Sequence, residues 1–131
     1  MDELPIRSGD DVVRVRQQVR TTAAENGLSL VDQTKLVTAA SELARNTLVH
    51  GGGGTALVEV VKSPSGRAGV KLRFTDEGPG IADIGLALTD GWSSGTGLGL
   101  GLSGSRRLVD EFELSSQPGA GTSVVVVKWS R

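Results

Sequence analysis

The chain predicts an α+β fold, a two-layer α/β sandwich with helices on one face of a mixed, mostly antiparallel sheet, and three observations carry that prediction. Apolar residues recur at helical spacing as far as His50 and then change to strand-like alternation. The elements run helix, helix, two strands, a glycine-rich stretch, helix, two strands. No internal repeat and no linker divides the sequence, so residues 1–131 are expected to form a single domain.

Pro5 to Arg7 predict a short edge strand. Ser8 or Asp10 is placed to cap a helix reaching about Asn26, with Val12, Val15, Val19 and Ala23 on one face and Gly27 as its stop. Asp32 is expected to cap a second helix to about His50, whose broad apolar face is Leu36, Val37, Ala40, Leu43, Ala44, Thr47 and Leu48. Gly51 to Gly54 end it. Ala56–Lys62 and Val70–Thr75 predict strands joined through Ser63-Pro64-Ser65-Gly66. Asp76 to Gly101 predict loop with a short helix near Ile84–Leu88. Leu102–Asp110 predict a helix, and Phe112–Ser116 with Ser123–Trp129 a closing hairpin.

Composition narrows the function. Net charge is −1, from 14 basic and 15 acidic residues, so nothing draws the chain toward nucleic acid or an anionic membrane. With two Trp, two Phe and no Tyr, it lacks base-stacking platforms for single strands. The absence of Cys excludes disulfides and thiolate metal sites. No apolar stretch approaches a membrane span, and Met1-Asp2-Glu3-Leu4-Pro5 lacks the basic start of a signal peptide, so a soluble cytoplasmic protein is expected.

Glycine is the outlier, with 19 residues concentrated in Gly51–Gly54 and in the stretch around Gly95–Gly104. The second stretch alternates with Leu and leads into a helix, which marks a structured loop rather than a linker. It is neither a dinucleotide fingerprint nor a Walker A loop. Backbone N–H groups at a helix start nonetheless suit a phosphate. On the second helix, Glu42, Asn46 and His50 recur every four residues at the edge of the buried face. Such a strip is either a solvated flank or a site in which Asn46 offers oxygen to a hard cation and Glu42 accepts a proton. Asp76-Glu77-Gly78-Pro79-Gly80 after a strand is either a plain turn or a carboxylate that accepts an adenine amino proton beside glycines that let the backbone approach the base.

Glu42-Leu43-Ala44-Arg45-Asn46 with His50, Asp76-Glu77-Gly78-Pro79-Gly80, Gly97-Leu98-Gly99-Leu100 and Gly119-Ala120-Gly121-Thr122 occur in the order of the N box and the glycine boxes of the GHKL ATPases. The chain resembles that superfamily, which includes histidine kinases, DNA gyrase B, Hsp90 and MutL. Thr38 to Asn46, Asp90-Gly91-Trp92 and Arg107 to Phe112 look more narrowly like the RsbT-type switch-protein kinases of the stressosome, relatives of the anti-sigma factor kinases. Leu100-Gly101-Leu102-Ser103 is closer to a histidine-kinase lid.

The resemblance implies a Bergerat-type ATP fold with ATP and Mg²⁺ as cofactors. By that resemblance Asn46 would coordinate Mg²⁺, Asp76 would accept from adenine, and Gly78 and Gly80 would shape the base pocket. Gly97, Leu98, Gly99, Leu100 and Gly101 would form the lid over the phosphates. Thr122 would hydrogen-bond near Asp76, and Glu42 would be the general base. Arg45, Arg106 and Arg107 are surface charges or phosphate contacts. His50 ends its helix, where a structural role fits. The implied activity is an ATP-dependent serine/threonine kinase that phosphorylates STAS-domain antagonist proteins and activates a PP2C-type phosphatase. The alternatives are an anti-sigma factor kinase that sequesters a sigma factor and a docking module without catalysis. Retention of both Glu42 and Asn46 argues against the docking module.

Overall fold

The computed structural model describes residues 2–78, 99–116 and 119–131. Strand β1 (Asp2–Ile6) opens the chain as a sheet edge, where Pro5 is tolerated because an edge N–H is dispensable. It starts and ends earlier than expected, because Arg7 and Ser8 are drawn into the start of helix α1 (Gly9–Glu25). Ser8, not Asp10, is the cap: its Oγ accepts from the Asp11 N–H, and its backbone is extended. Asp10 and Asp11 then face the positive end of the helix. Val15, Val19 and Ala23 are fully buried, and Gly27 ends the run at φ +82.

Helix α2 (Leu30–Val49) corrects one expectation. Its cap is Ser29, whose Oγ accepts from the Asp32 N–H at 3.1 Å. Asp32 lies one turn further in and is buried, because its carboxylate meets Lys128 and Arg131 instead. Both residue types cap well, so only the tertiary partners distinguish them.

Strands β2 (Gly54–Lys62) and β3 (Ala68–Asp76) form the expected hairpin. The Ser63 N–H donates to the Arg67 carbonyl at 2.8 Å, and Gly66 takes φ +86 in the turn. Helix α3 (Gly99–Leu108) begins before the expected Leu102. It is followed by β4 (Glu111–Ser116) and β5 (Thr122–Trp129). The short helix expected near Ile84–Leu88 lies outside the described residues.

The sheet order is β1-β2-β3-β5-β4, and each of its ladders is antiparallel. β3 is therefore central. Ala56, Val58, Val70, Leu72, Phe74, Val124 and Val126 face the helices and join Val15, Val19, Leu36, Leu43 and Leu102 in one core. α2 packs against both α1 and α3. No helix among the described residues is long and apolar enough to cross a membrane. At its C-terminal end α2 runs into the glycine connection that leads to β2, beside the end of β3.

Candidate nucleotide site

Helical periodicity places Glu42 and Asn46 one turn apart on α2, both half-buried. The Asn46 side-chain amide Nδ2 is buried and has no hydrogen-bond partner among the described residues. A buried donor left unmade is costly, so this N–H₂ has bonding capacity for an acceptor. The backbone carbonyl of Asn46 accepts from the N–H groups of His50 at 2.9 Å and Gly51 at 3.2 Å. His50 caps the helix C-terminus, as its position suggested.

Asp76 is the last residue of β3. Its ladder partners are Gly54 on β2 and Thr122 on β5, so Thr122 lies directly across from it. Asp76 is 9% exposed. Its Oδ1 accepts from the Gly78 N–H at 2.9 Å, a tight Asx turn. Thr122 Oγ1 is 2.9 Å from Ser116 Oγ on β4, and the Ser116 hydroxyl also donates to the Gly121 carbonyl at 3.1 Å.

Two cavities flank Asp76. One, of about 550 Å³, is lined by Arg7, Gly51–Gly54, Thr55, Thr75, Asp76 and Glu77. The other, of about 290 Å³, lies between Asp76 and the β4–β5 end and includes Ser116, Gly121 and Thr122. The first falls in the usual size range of small-molecule sites.

Gly80, expected in the base pocket, and Gly97 and Leu98, expected in the lid, lie outside the described residues. Gly99, Leu100 and Gly101 open α3, so the expected lid run continues into the first turn of that helix. Arg45, Arg106 and Arg107 are exposed, and Arg106 and Arg107 sit in the last turn of α3, where cations complement the helix dipole.

With this arrangement, residues 31–130 match the family of histidine kinase-, DNA gyrase B-, and HSP90-like ATPases. The serine/threonine-protein kinase RsbT of Bacillus subtilis is 46% identical over 121 residues, covering 92% of this chain and 90% of that protein. The chain belongs to this ATPase family as an RsbT-type serine/threonine kinase. An anti-sigma F factor of Thermoanaerobacter is 27% identical over 117 residues, covering 87% of this chain and 82% of its own. Among solved structures, the RsbU and RsbW domains of a Mycobacterium tuberculosis protein superpose with a TM-score of 0.63 at 22% identity, over all of this chain and 33% of that one. The ATPase family brings ATP use with it.

The kinase also has contacts around Asp76 that motif reading did not give. Gly51, outside the quoted boxes, and Gly121, inside the last one, both pack on Asp76: a Cβ added at Gly51 would lie 2.3 Å from Asp76 Cγ, and one at Gly121 would lie 2.2 Å from the Asp76 carbonyl oxygen. Gly121 also takes φ +84, so two constraints select glycine there. Arg7 and Ser116 reach the site from the sheet edges. The glycine run itself was visible in the sequence. Its contact with a residue 25 positions on was not, because it depends on how α2 docks on β3.

Proposed function

We propose that the protein is the ATP–Mg²⁺-dependent kinase of a bacterial stress-response partner-switching module. It phosphorylates a serine or threonine of STAS-domain antagonist proteins and, when released, activates a PP2C-type phosphatase. The observation that carries this reading is Glu42 one turn from Asn46 on α2, the Asn46 Nδ2 having no hydrogen-bond partner among the described residues, in a chain 46% identical to a serine/threonine-protein kinase.

On this reading Asp76 accepts from the adenine amino group, with Thr122 across the ladder and Gly78 and Gly80 shaping the base pocket. Gly97, Leu98, Gly99, Leu100 and Gly101 cover the phosphates, aided by the positive start of α3. Asn46 would hold Mg²⁺. Among the described residues no group of three or more His, Cys or acidic side chains could bind a metal. Mg²⁺ commonly takes one or two protein oxygens beside phosphates and waters, and the Asn46 side-chain oxygen would be that ligand. Mg²⁺ supplies charge neutralisation on the phosphates. Glu42 receives the proton of the attacking hydroxyl, and the rest of the pocket positions the nucleotide. All 131 residues work as one cytoplasmic domain.

The anti-sigma F factor relative favours a second reading, an anti-sigma factor kinase that holds a sigma factor directly. A pull-down from the source organism separates the two. Recovery of STAS proteins and a phosphatase, with phosphate transfer to the STAS serine or threonine by mass spectrometry, supports the first. Recovery of a sigma factor supports the second. No transfer to any recovered STAS protein overturns the kinase assignment of these partners.

A further inference from the structure

Gly51 lies between two parts of the Asp76 turn. An ideal Cβ on Gly51 would sit 2.3 Å from Asp76 Cγ, 2.4 Å from its Cβ and 2.7 Å from its Oδ2. On the other side, a Cβ on Gly78 would sit 2.7 Å from the Gly51 Cα. Gly51 is not among the glycines with positive φ, so no backbone conformation demands glycine there. Gly52, its neighbour, is the opposite case: φ +74 and open space around it. Close approach alone therefore selects glycine at position 51. Rotating the Asp76 side chain moves Cγ and Oδ2 but leaves the 2.4 Å contact at Cβ, so the two backbones would have to separate.

The carboxylate held in this way has one oxygen in use. Oδ1 takes the Gly78 N–H, and among the described residues no donor is bonded to Oδ2. Gly51 also donates its own N–H to the Asn46 carbonyl at 3.2 Å. One backbone unit thus touches the base-reading carboxylate and is hydrogen-bonded to the residue at the phosphate end.

We infer that Gly51 is a positioning residue for base selectivity: its bare Cα, wedged between Asp76 and Gly78, sets Asp76 Oδ2 where a purine 6-amino group is read and a 6-oxo group is refused. The inference rests on the assignment of Asp76 as the base acceptor. A 6-oxo purine places an acceptor against an acceptor, so selectivity depends on the carboxylate being held in register. A carboxylate displaced by a few tenths of an ångström can admit a bridging water and lose the distinction.

The test is titration calorimetry with ATP and with inosine triphosphate, in Mg²⁺. The proteins are the wild type, Asp76→Asn, Gly51→Ala, Gly78→Ala and Gly9→Ala. Gly9→Ala is the control, because a Cβ there meets nothing within 4 Å. Wild type and Gly9→Ala should prefer ATP by on the order of 10- to 100-fold. Asp76→Asn should bring that ratio below about threefold, because an amide can donate to a 6-oxo group. Gly51→Ala and Gly78→Ala, each checked for a cooperative melt, should lower the ratio at least about fivefold, the upper-nucleotide loss falling mainly on ATP. A purely structural role would weaken both nucleotides alike and leave the ratio where it was. If Gly51→Ala does not fold, Gly78→Ala carries the test, since its new methyl presses on Gly51 from the turn side. If Asp76→Asn keeps the wild-type ratio, the assignment of Asp76 falls and the inference with it. If Asp76→Asn loses the ratio while the folded alanine variants keep it, the assignment stands and the role of Gly51 is overturned.

Discussion

The two ends of α2 are built on opposite plans. At the N-terminal end, charge is buried and paired. Lys128 Nζ lies 3.7 Å from Asp32 Oδ1 and 3.5 Å from Asp110 Oδ1, and its side chain is 5% exposed. Arg131 closes the group, 2.7 Å from Asp110 and 3.5 Å from Asp32. The Trp129 N–H also donates to Asp110 at 2.8 Å. At the C-terminal end the packing is glycine against Asp76, and a buried Asn46 donor has no described partner. The first end satisfies its polar groups internally and ties α2 to β5 and the turn after α3. On the proposed function, the second leaves bonding capacity for the nucleotide. Removing a group should therefore cost stability at one end and ligand affinity or catalysis at the other.

The largest expected effect is on catalysis. Glu42→Gln keeps shape and a hydrogen bond but cannot take a proton, so phosphate transfer should fall about 10²–10⁴-fold while ATP affinity stays within about twofold. Transfer is read by mass spectrometry on a STAS partner and affinity by calorimetry. An unchanged transfer rate would remove Glu42 as the base.

Lys128→Met sharpens the comparison from the stability side. It leaves the buried Asp32 with only the largely exposed Arg131 nearby, and removes one cation from the more exposed Asp110. The loss in urea unfolding should lie toward the low end of about 3–5 kcal/mol, with ATP affinity in the folded protein unaffected. A nucleotide-binding defect equal to the stability defect would mean that the two ends are not separable.

Asn46→Ala should do the reverse. It removes a buried donor that makes no bond among the described residues, so unliganded stability should change by less than about 1 kcal/mol. ATP–Mg²⁺ affinity should drop about 10- to 100-fold. A large fall in stability without a fall in affinity would place Asn46 in the scaffold. The smallest effect belongs to Thr122→Val, which keeps the β-branched shape and deletes the hydroxyl 2.9 Å from Ser116 Oγ. It should weaken ATP by about 0.5–1.5 kcal/mol; no change by calorimetry would confine that hydroxyl to the β4–β5 pair.

Much of this was legible in the chain, and for a common reason. The buried faces of α1 and α2, the β2–β3 hairpin and the β4–β5 hairpin are local periodicities, and a local period needs no knowledge of what packs on it. The same holds for Glu42 and Asn46, whose shared face follows from helical geometry alone. What tertiary structure decided were the contacts between elements distant in sequence. Ser29 rather than Asp32 became the cap of α2 because Asp32 met Lys128 and Arg131, almost a hundred residues on. Thr122 came to lie across from Asp76 because β5, not β4, pairs with β3. Gly51 became a contact of Asp76 only through the docking of α2 against the end of β3, since a missing Cβ carries no signal until something occupies the space that it leaves.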